Sequence, residues 1–251
     1  MLHGKSAVIT GGGRGIGRGI VLALAQRGCN VAVNYFRKRD EAEQTAAAAE
    51  ALGVKAVVIK ANVGKEEEVR DLVDETARQL GSVDIFVGNA ASGVIKPITA
   101  IDAKAWDWTL NINARSILFG AQAALPYMRQ RGWGRILTVT SIGSRRVFPE
   151  YGVVGVSKAA IEAVTRYLAV ELARENIIVN CISPGVVITG ALDFFPRRTA
   201  MIEHAEQNTP AGRLVTPADV GNVAAWLCSE EARMIVGQTI EVDGGYSLLV
   251  T

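Results

Sequence analysis

The stretch Ser6-Ala-Val-Ile-Thr10-Gly11-Gly-Gly13-Arg14-Gly15-Ile16-Gly17 decides the fold, because a short β-branched run breaks into a glycine turn and then into a helical pattern continuing through Val21, Leu22 and Ala25. Strand, turn and helix in that order place backbone N–H groups at a helix N-terminus, where the helix dipole favours an anion and glycines let a pyrophosphate approach the main chain. A dinucleotide is the guest such a turn predicts, with Gly11, Gly13, Arg14, Gly15, Ile16 and Gly17 around it. The spacing is G-x-x-x-G-x-G on Gly11, Gly15 and Gly17, not G-x-G-x-x-G.

Outward from this turn, Ser6–Thr10, Asn30–Asn34, Val54–Lys60, Val83–Val87, Arg135–Thr140, Ile177–Ile182 and Thr239–Val242 read as seven strands with helical patterns between them. Parallel strands need crossovers, so the alternation predicts an α/β, Rossmann-like, doubly wound parallel sheet. A length of 251 residues with 49% hydrophobic content suits one domain over 1–251, its sheet covered by helices on both faces.

The same composition narrows the partners. A formal charge of +2 argues against nucleic acid or a membrane surface as partner. No apolar run is long enough to span a bilayer, and the N-terminus shows no h-region, so a cytoplasmic protein is expected. Cys29, Cys181 and Cys228 are far apart and only His3 and His204 could join them, which predicts reduced thiols and no metal site.

At the end of the second strand, where a carboxylate would bind the adenosine ribose of NAD, the chain reads Asn34-Tyr35-Phe36-Arg37-Lys38-Arg39. Arg37 or Lys38, joined by Arg14, can instead pair with a 2′-phosphate, so NADPH is the expected cofactor. The alternative is that these cations begin a solvated helix.

The glycine turn, Asn89-Ala90-Ala91, Asn113, Ser141, Lys158 and Pro184-Gly185 with Thr189 together resemble the short-chain dehydrogenase/reductase family over essentially the whole chain. The resemblance implies a seven-stranded parallel sheet, usually in a homotetramer. It also implies Asn62-Val63 near adenine, Asn89-Ala90 along the adjoining ribose, Pro184, Val187 and Thr189 beside nicotinamide, and Lys158 on the nicotinamide ribose.

The departure from the family pattern is as informative as the match. The family's common motif is Tyr-x-x-x-Lys, and the residue four before Lys158 is Val154, which has no proton to give; the nearby phenol is Tyr151, giving Tyr-x6-Lys. If the helix reaches back that far, seven residues are about two turns and Tyr151 shares a face with Lys158, one turn further out. A ketoreductase delivers hydride and proton to one C=O bond. Reduction of an enoyl thioester sends hydride to Cβ and develops charge on an oxygen two carbons away, which suits a displaced phenol.

Tyr-x6-Lys also marks enoyl-acyl-carrier-protein reductases. The glycine turn, Asn89-Ala-Ala-Ser-Gly93, Trp106-Asp-Trp-Thr-Leu-Asn-Ile-Asn113, Gly155-Val-Ser-Lys-Ala159, Thr209-Pro-Ala-Gly-Arg213 and Val242-Asp-Gly-Gly-Tyr-Ser-Leu-Leu-Val250 are similar to the bacterial type III members of that group. This implies reduction of trans-2-enoyl thioesters, carried on acyl carrier protein or coenzyme A, as the last reductive step of fatty-acid elongation. Tyr151 would stabilise the enolate oxygen, and Lys158 would lower the phenol's pKa. Ser141 is either a polarising hydroxyl or structural; Asn113 either kinks its helix and holds a water near Lys158 or satisfies local backbone groups. A ketoreductase acting on 3-oxoacyl thioesters or other carbonyls is the alternative activity, and an inactive cofactor sensor a second.

The segment 190–210 carries Leu192, Phe194 and Phe195 beside Pro196, Arg197 and Arg198, and reads as a substrate lid or as a surface helical excursion. Arg145, Arg146, Arg197 and Arg198 are expected docking charges for an acidic carrier protein. The helix of Lys158 has two apolar stripes, one through Ala159, Ile161, Val164, Leu168 and Leu172, the other through Ala160, Ala163, Tyr167 and Val170, implying a sheet on one side and a subunit partner on the other.

Overall fold

Alternation within the strands fixes both layers of the fold. In β1 (Ser6–Ile9), Ala7 and Ile9 pack into one apolar cluster and Val8 into another; in β2 (Asn30–Tyr35), Val31 and Val33 join the first and Ala32 the second. A strand whose successive side chains are buried on opposite faces needs helices above and below it. One layer is α1 (Gly15–Gln26), α2 (Arg39–Glu50) and α8 (Pro217–Leu227); the other is α3 (Glu66–Leu80), α5 (Ser116–Arg131) and α6 (Gly152–Leu172). The computed structural model describes residues 1–249; Val250, the last residue of the C-terminal stretch quoted above, and Thr251 lie outside the described residues.

The remaining strands are β3 (Ala56–Lys60), β4 (Ile85–Gly88), β5 (Gly134–Val139), β6 (Ile177–Pro184) and β7 (Thr239–Val242), no end lying more than two residues from its expected place. All pairings are parallel, in the order β3-β2-β1-β4-β5-β6-β7. The order reverses direction at β1, so the chain leaves a crevice between the carboxyl ends of β1 and β4, where doubly wound sheets take their ligands. Thr10, Asn34, Asn89, Ser141 and Pro184 all lie at that edge.

Two shorter helices complete the site's surroundings. α4 (Ala103–Leu110) is capped by the Asp102 carboxylate, which accepts from Ala105 N at 2.7 Å, and continues into α5 through a π-turn at Asn111–Arg115. α7 (Arg198–Asn208) lies inside the segment read as a lid. Among the described residues no helix is long and apolar enough to cross a membrane, and no group of three or more His, Cys, Asp or Glu side chains could hold a metal ion.

Candidate active site

The glycine turn is held from three strands at once. Thr10 Oγ1 donates to Val87 O and accepts from the Asn89 and Ala90 N–H groups at 2.9 and 3.0 Å; Asn89 Nδ2 donates to Thr10 O at 2.9 Å and Gly11 O at 3.2 Å. From the other side, Asn34 Oδ1 accepts from Gly11 N at 3.1 Å and Asn34 O accepts from Gly12 N at 3.0 Å. Gly11 and Gly15 have φ of +63° and +53°, which L side chains rarely adopt. A Cβ on Gly17 would run into the Gly11 carbonyl and lie 2.7 Å from Asn89 Nδ2.

A dinucleotide fits this cradle. No side chain caps the α1 N-terminus and no acid lies in its first turn, leaving the first N–H groups to an anionic guest. Ile16 packs on the core beneath, and Gly13 sits against Ala42 of α2. Across the turn, the Thr189 methyl would touch a Cβ placed on Gly15, while Pro184 pairs with Val242 and Val187 bridges to Val215. Beyond β3, the Asn62 amide oxygen accepts from Gly64 N, its own N–H donates to Glu68, and Val63 is buried.

The cations expected at the adenosine ribose are distributed unevenly. Arg37 lies over its neighbour Phe36, with guanidinium carbon and ring centroid 5.6 Å apart, and Lys38 is the N-cap residue of α2. Arg14 Nε is 3.6 Å from Glu41 Oε2, an acid in the first turn of α2 that the pattern of cations did not call attention to.

On the other side of the crevice, Tyr151 is not helical: it is the N-cap residue of α6, with φ −91° and ψ 7°. The condition that the helix reaches back through Tyr151 is therefore not met: the helix begins one residue later, at Gly152. From the cap the phenol still reaches the site, its oxygen 3.3 Å from Ser141 Oγ at the end of β5. The ring has room because residue 143 is glycine, where a Cβ would lie 2.5 Å from Tyr151 Cε1. Phe195 stacks on it at 5.7 Å with a 30° interplanar angle, and Phe148 meets it edge-on at 6.1 Å. Val154, in the position of the usual phenol, is buried against Gly93.

Burial pushes the Tyr151 phenol above its ordinary value, and the Ser141 hydrogen bond pulls the other way. The expected lowering by Lys158 is not what sets it. Lys158 Nζ is buried and donates to Val139 O at 2.9 Å, and loss of hydration lowers its pKa to about 8. Asn113 sits in the π-turn, fully buried; its Oδ1 accepts from Ser92 N at 2.8 Å and its Nδ2 donates to Ser157 Oγ at 2.8 Å. Both halves of its amide thus join three segments around Lys158, and of the two roles expected for it the bond from Ser92 N satisfies a backbone group.

Within the segment read as a lid, Phe195, between the turn Leu192–Phe194 and α7, stacks on Tyr151, whereas Phe194 is exposed. Arg197 is the N-cap residue of α7 and Arg198 pairs with Asp193 at 3.2 Å. Arg145 is engaged by Glu162 and Glu241, and Arg146 donates to the Ser247 and Leu249 carbonyls. Those two cations hold the chain's own segments together. Along α6, Ile161, Leu168 and Leu172 of the first stripe are buried and Val164 is half-buried, but Ala159 is exposed; Tyr167 and Val170 of the second stripe are 74% and 80% exposed.

Sequence reasoning missed Gly143, Phe148 and Glu41 as parts of the site. A glycine two residues after Ser141 was a readable signal that a ring lies there; the Arg14–Glu41 approach has none in one dimension.

The family model described as Enoyl-(Acyl carrier protein) reductase matches residues 11–247. The 1-cyclohexenylcarbonyl-CoA reductase of Streptomyces collinus is 38% identical over 245 residues, covering 97% of this chain and 87% of that protein. The 3-oxoacyl-(acyl-carrier-protein) reductase FabG of Staphylococcus epidermidis is 34% identical over 241 residues, covering 96% and 98%. A solved 7α-hydroxysteroid dehydrogenase, in complex with NADH and 7-oxo glycochenodeoxycholic acid, superposes with a TM-score of 0.92 at 34% identity, covering 97% and 94%. The chain therefore belongs to the short-chain dehydrogenase/reductase family, oxidoreductases that work with a nicotinamide dinucleotide.

Proposed function

We propose that this oxidoreductase reduces the 2,3 double bond of trans-2-enoyl thioesters with NADPH, as one domain spanning the chain. The observation that carries this reading is the replacement of the usual phenol by Val154, buried against Gly93, with Tyr151 entering from the α6 cap to meet Ser141. NADPH, when bound, would supply the hydride to Cβ, and the resulting enolate would take its Cα proton from water or a relay. Tyr151, neutral at physiological pH because burial raises its pKa, donates a hydrogen bond to the thioester oxygen as charge develops there. Ser141 orients that phenol. Lys158 serves the nicotinamide ribose, Asn113 fixes the wall beside it, and Phe195 with Phe148 excludes water from the reacting oxygen. Among the cofactor contacts, Gly11 to Gly17 take the pyrophosphate, Arg14, Arg37 and Lys38 the 2′-phosphate, Asn62 and Val63 the adenine, and Asn89, Ala90, Pro184, Val187 and Thr189 the remainder.

The substrate is a thioester of acyl carrier protein or coenzyme A in the last reductive step of fatty-acid elongation, in the cytoplasm. The uncovered stripe at Tyr167 and Val170 belongs to a homotetramer. Arg197, exposed at the lid, is the most available docking charge for an acidic carrier. Purified protein with NADPH and crotonyl thioester tests the core of this reading: turnover lost in Tyr151→Phe, with NADPH binding retained, supports it, and unchanged behaviour of that variant refutes it.

A second reading, 3-oxoacyl thioester reduction, is favoured by the convergence of the Tyr151 and Ser141 hydroxyls, since two donors 3.3 Å apart can also grip a ketone oxygen. The similarity to FabG points the same way.

A further inference from the structure

The Arg14 guanidinium lies between two walls. Its Nε is 3.6 Å from Glu41 Oε2, and one of its terminal nitrogens, Nη1, lies 3.5 Å from the point a Cβ on Gly190 would occupy, at the root of the lid. Glu41 Oε2 is itself out of contact with water and accepts no hydrogen bond. The helix that carries this acid is fixed in its place. α2 is docked on the glycine turn at Gly13 against Ala42, and Thr45 Oγ1 donates to Gly13 O at 2.7 Å while accepting from Arg18.

We propose that Glu41 is a cofactor-specificity residue that competes with the 2′-phosphate for Arg14 and so weakens selection for the phosphorylated cofactor. The inference rests on the assignment of Arg14 to the 2′-phosphate made above. A carboxylate beside the only cation of the turn has two effects of the same sign: it occupies Arg14, and it repels a phosphate that carries about two negative charges near neutrality. A nucleotide without the 2′-phosphate meets neither effect. Glu41 therefore lowers affinity for one class of nucleotide and leaves the other unchanged.

The test uses the intact protein and two probes, adenosine 2′,5′-bisphosphate and 5′-AMP, with affinities measured by calorimetry at low and moderate salt. Glu41→Gln keeps the side chain's shape and removes its charge. It is expected to tighten the bisphosphate about three- to tenfold, less at higher salt, with 5′-AMP unchanged, a size typical of a part-exposed ion pair. In the Arg14→Met background the same substitution should gain markedly less, because only the direct repulsion is left to relieve. Equal changes for both probes, no change, or weaker bisphosphate binding, which would make Glu41 a support that orients Arg14, each overturn the proposal. A merely structural Glu41 would shift the melting temperature without changing the ratio of the two affinities. The NADPH assignment is judged separately: it fails if the wild-type protein binds the bisphosphate no better than 5′-AMP and Arg14→Met changes neither.

Discussion

On the β1/β4 side of the crevice, side chains of Thr10, Asn34 and Asn89 tie the glycine turn to the ends of three strands, and every one of those contacts ends on backbone. On the β5/α6 side, Tyr151 is held by one hydroxyl contact and two rings, of which Phe195 belongs to a segment carrying a mostly exposed helix. The half proposed for the cofactor is a backbone turn tethered by side chains at many points; the half proposed for the substrate is an arrangement of side chains from separate segments. The pyrophosphate is common to every nicotinamide dinucleotide, whereas the acyl or carbonyl substrate differs, so the denser tethering lies where the ligand is constant.

Substitutions on the two sides should differ in kind. Gly17→Ala brings a methyl into the Gly11 carbonyl and Asn89, and should cost about 1–3 kcal/mol of stability as well as dinucleotide binding. Thermal melts with and without NADPH check both. A variant that melts like wild type and binds cofactor would show that the cradle is looser than its geometry implies. Tyr151→Phe, in contrast, should fold and bind cofactor normally and lose about 10²–10³ in kcat, the scale of one oxyanion donor.

How much of this was legible in the sequence follows the same division. The cradle was, because positive φ and close approach demand glycine, and Gly11, Gly15 and Gly17 report that demand in one dimension. The seven strands were too, since burial on both faces leaves continuous β-branched runs. The state of Tyr151 was not: helical spacing relates it to Lys158, but Tyr151 lies at the cap and outside the helix, and its place depends on Gly143 and on Phe195 from a distant segment. Its pKa went the opposite way from the expectation for the same reason, since burial outweighs the Ser141 hydrogen bond and Lys158 is turned to the Val139 carbonyl.

Lys158 sharpens the comparison through pH. Its folded pKa, about 8, lies below the ordinary 10.5, so the unfolded chain binds more protons between those values and wild-type stability rises with pH across that window. Below about pH 8 the burial penalty is fully present, and Lys158→Met should then be more stable than wild type in urea; the gap should close by pH 10.5. A gap independent of pH would mean that the ammonium is better hydrated than its surroundings suggest. The smallest effect is expected at the lid, where Phe195→Ala removes one stacked ring worth about 0.5–1.5 kcal/mol. It should raise KM for acyl thioesters up to about tenfold and leave NADPH affinity unchanged.

The enoyl reading is tested most directly by competition. Equal amounts of crotonyl and acetoacetyl thioester are offered together with limiting NADPH, and the products are separated by mass. The displaced Tyr151 and the buried Val154 predict butyryl thioester as the main product; 3-hydroxybutyryl thioester in its place would contradict that reading and establish the carbonyl reductase instead.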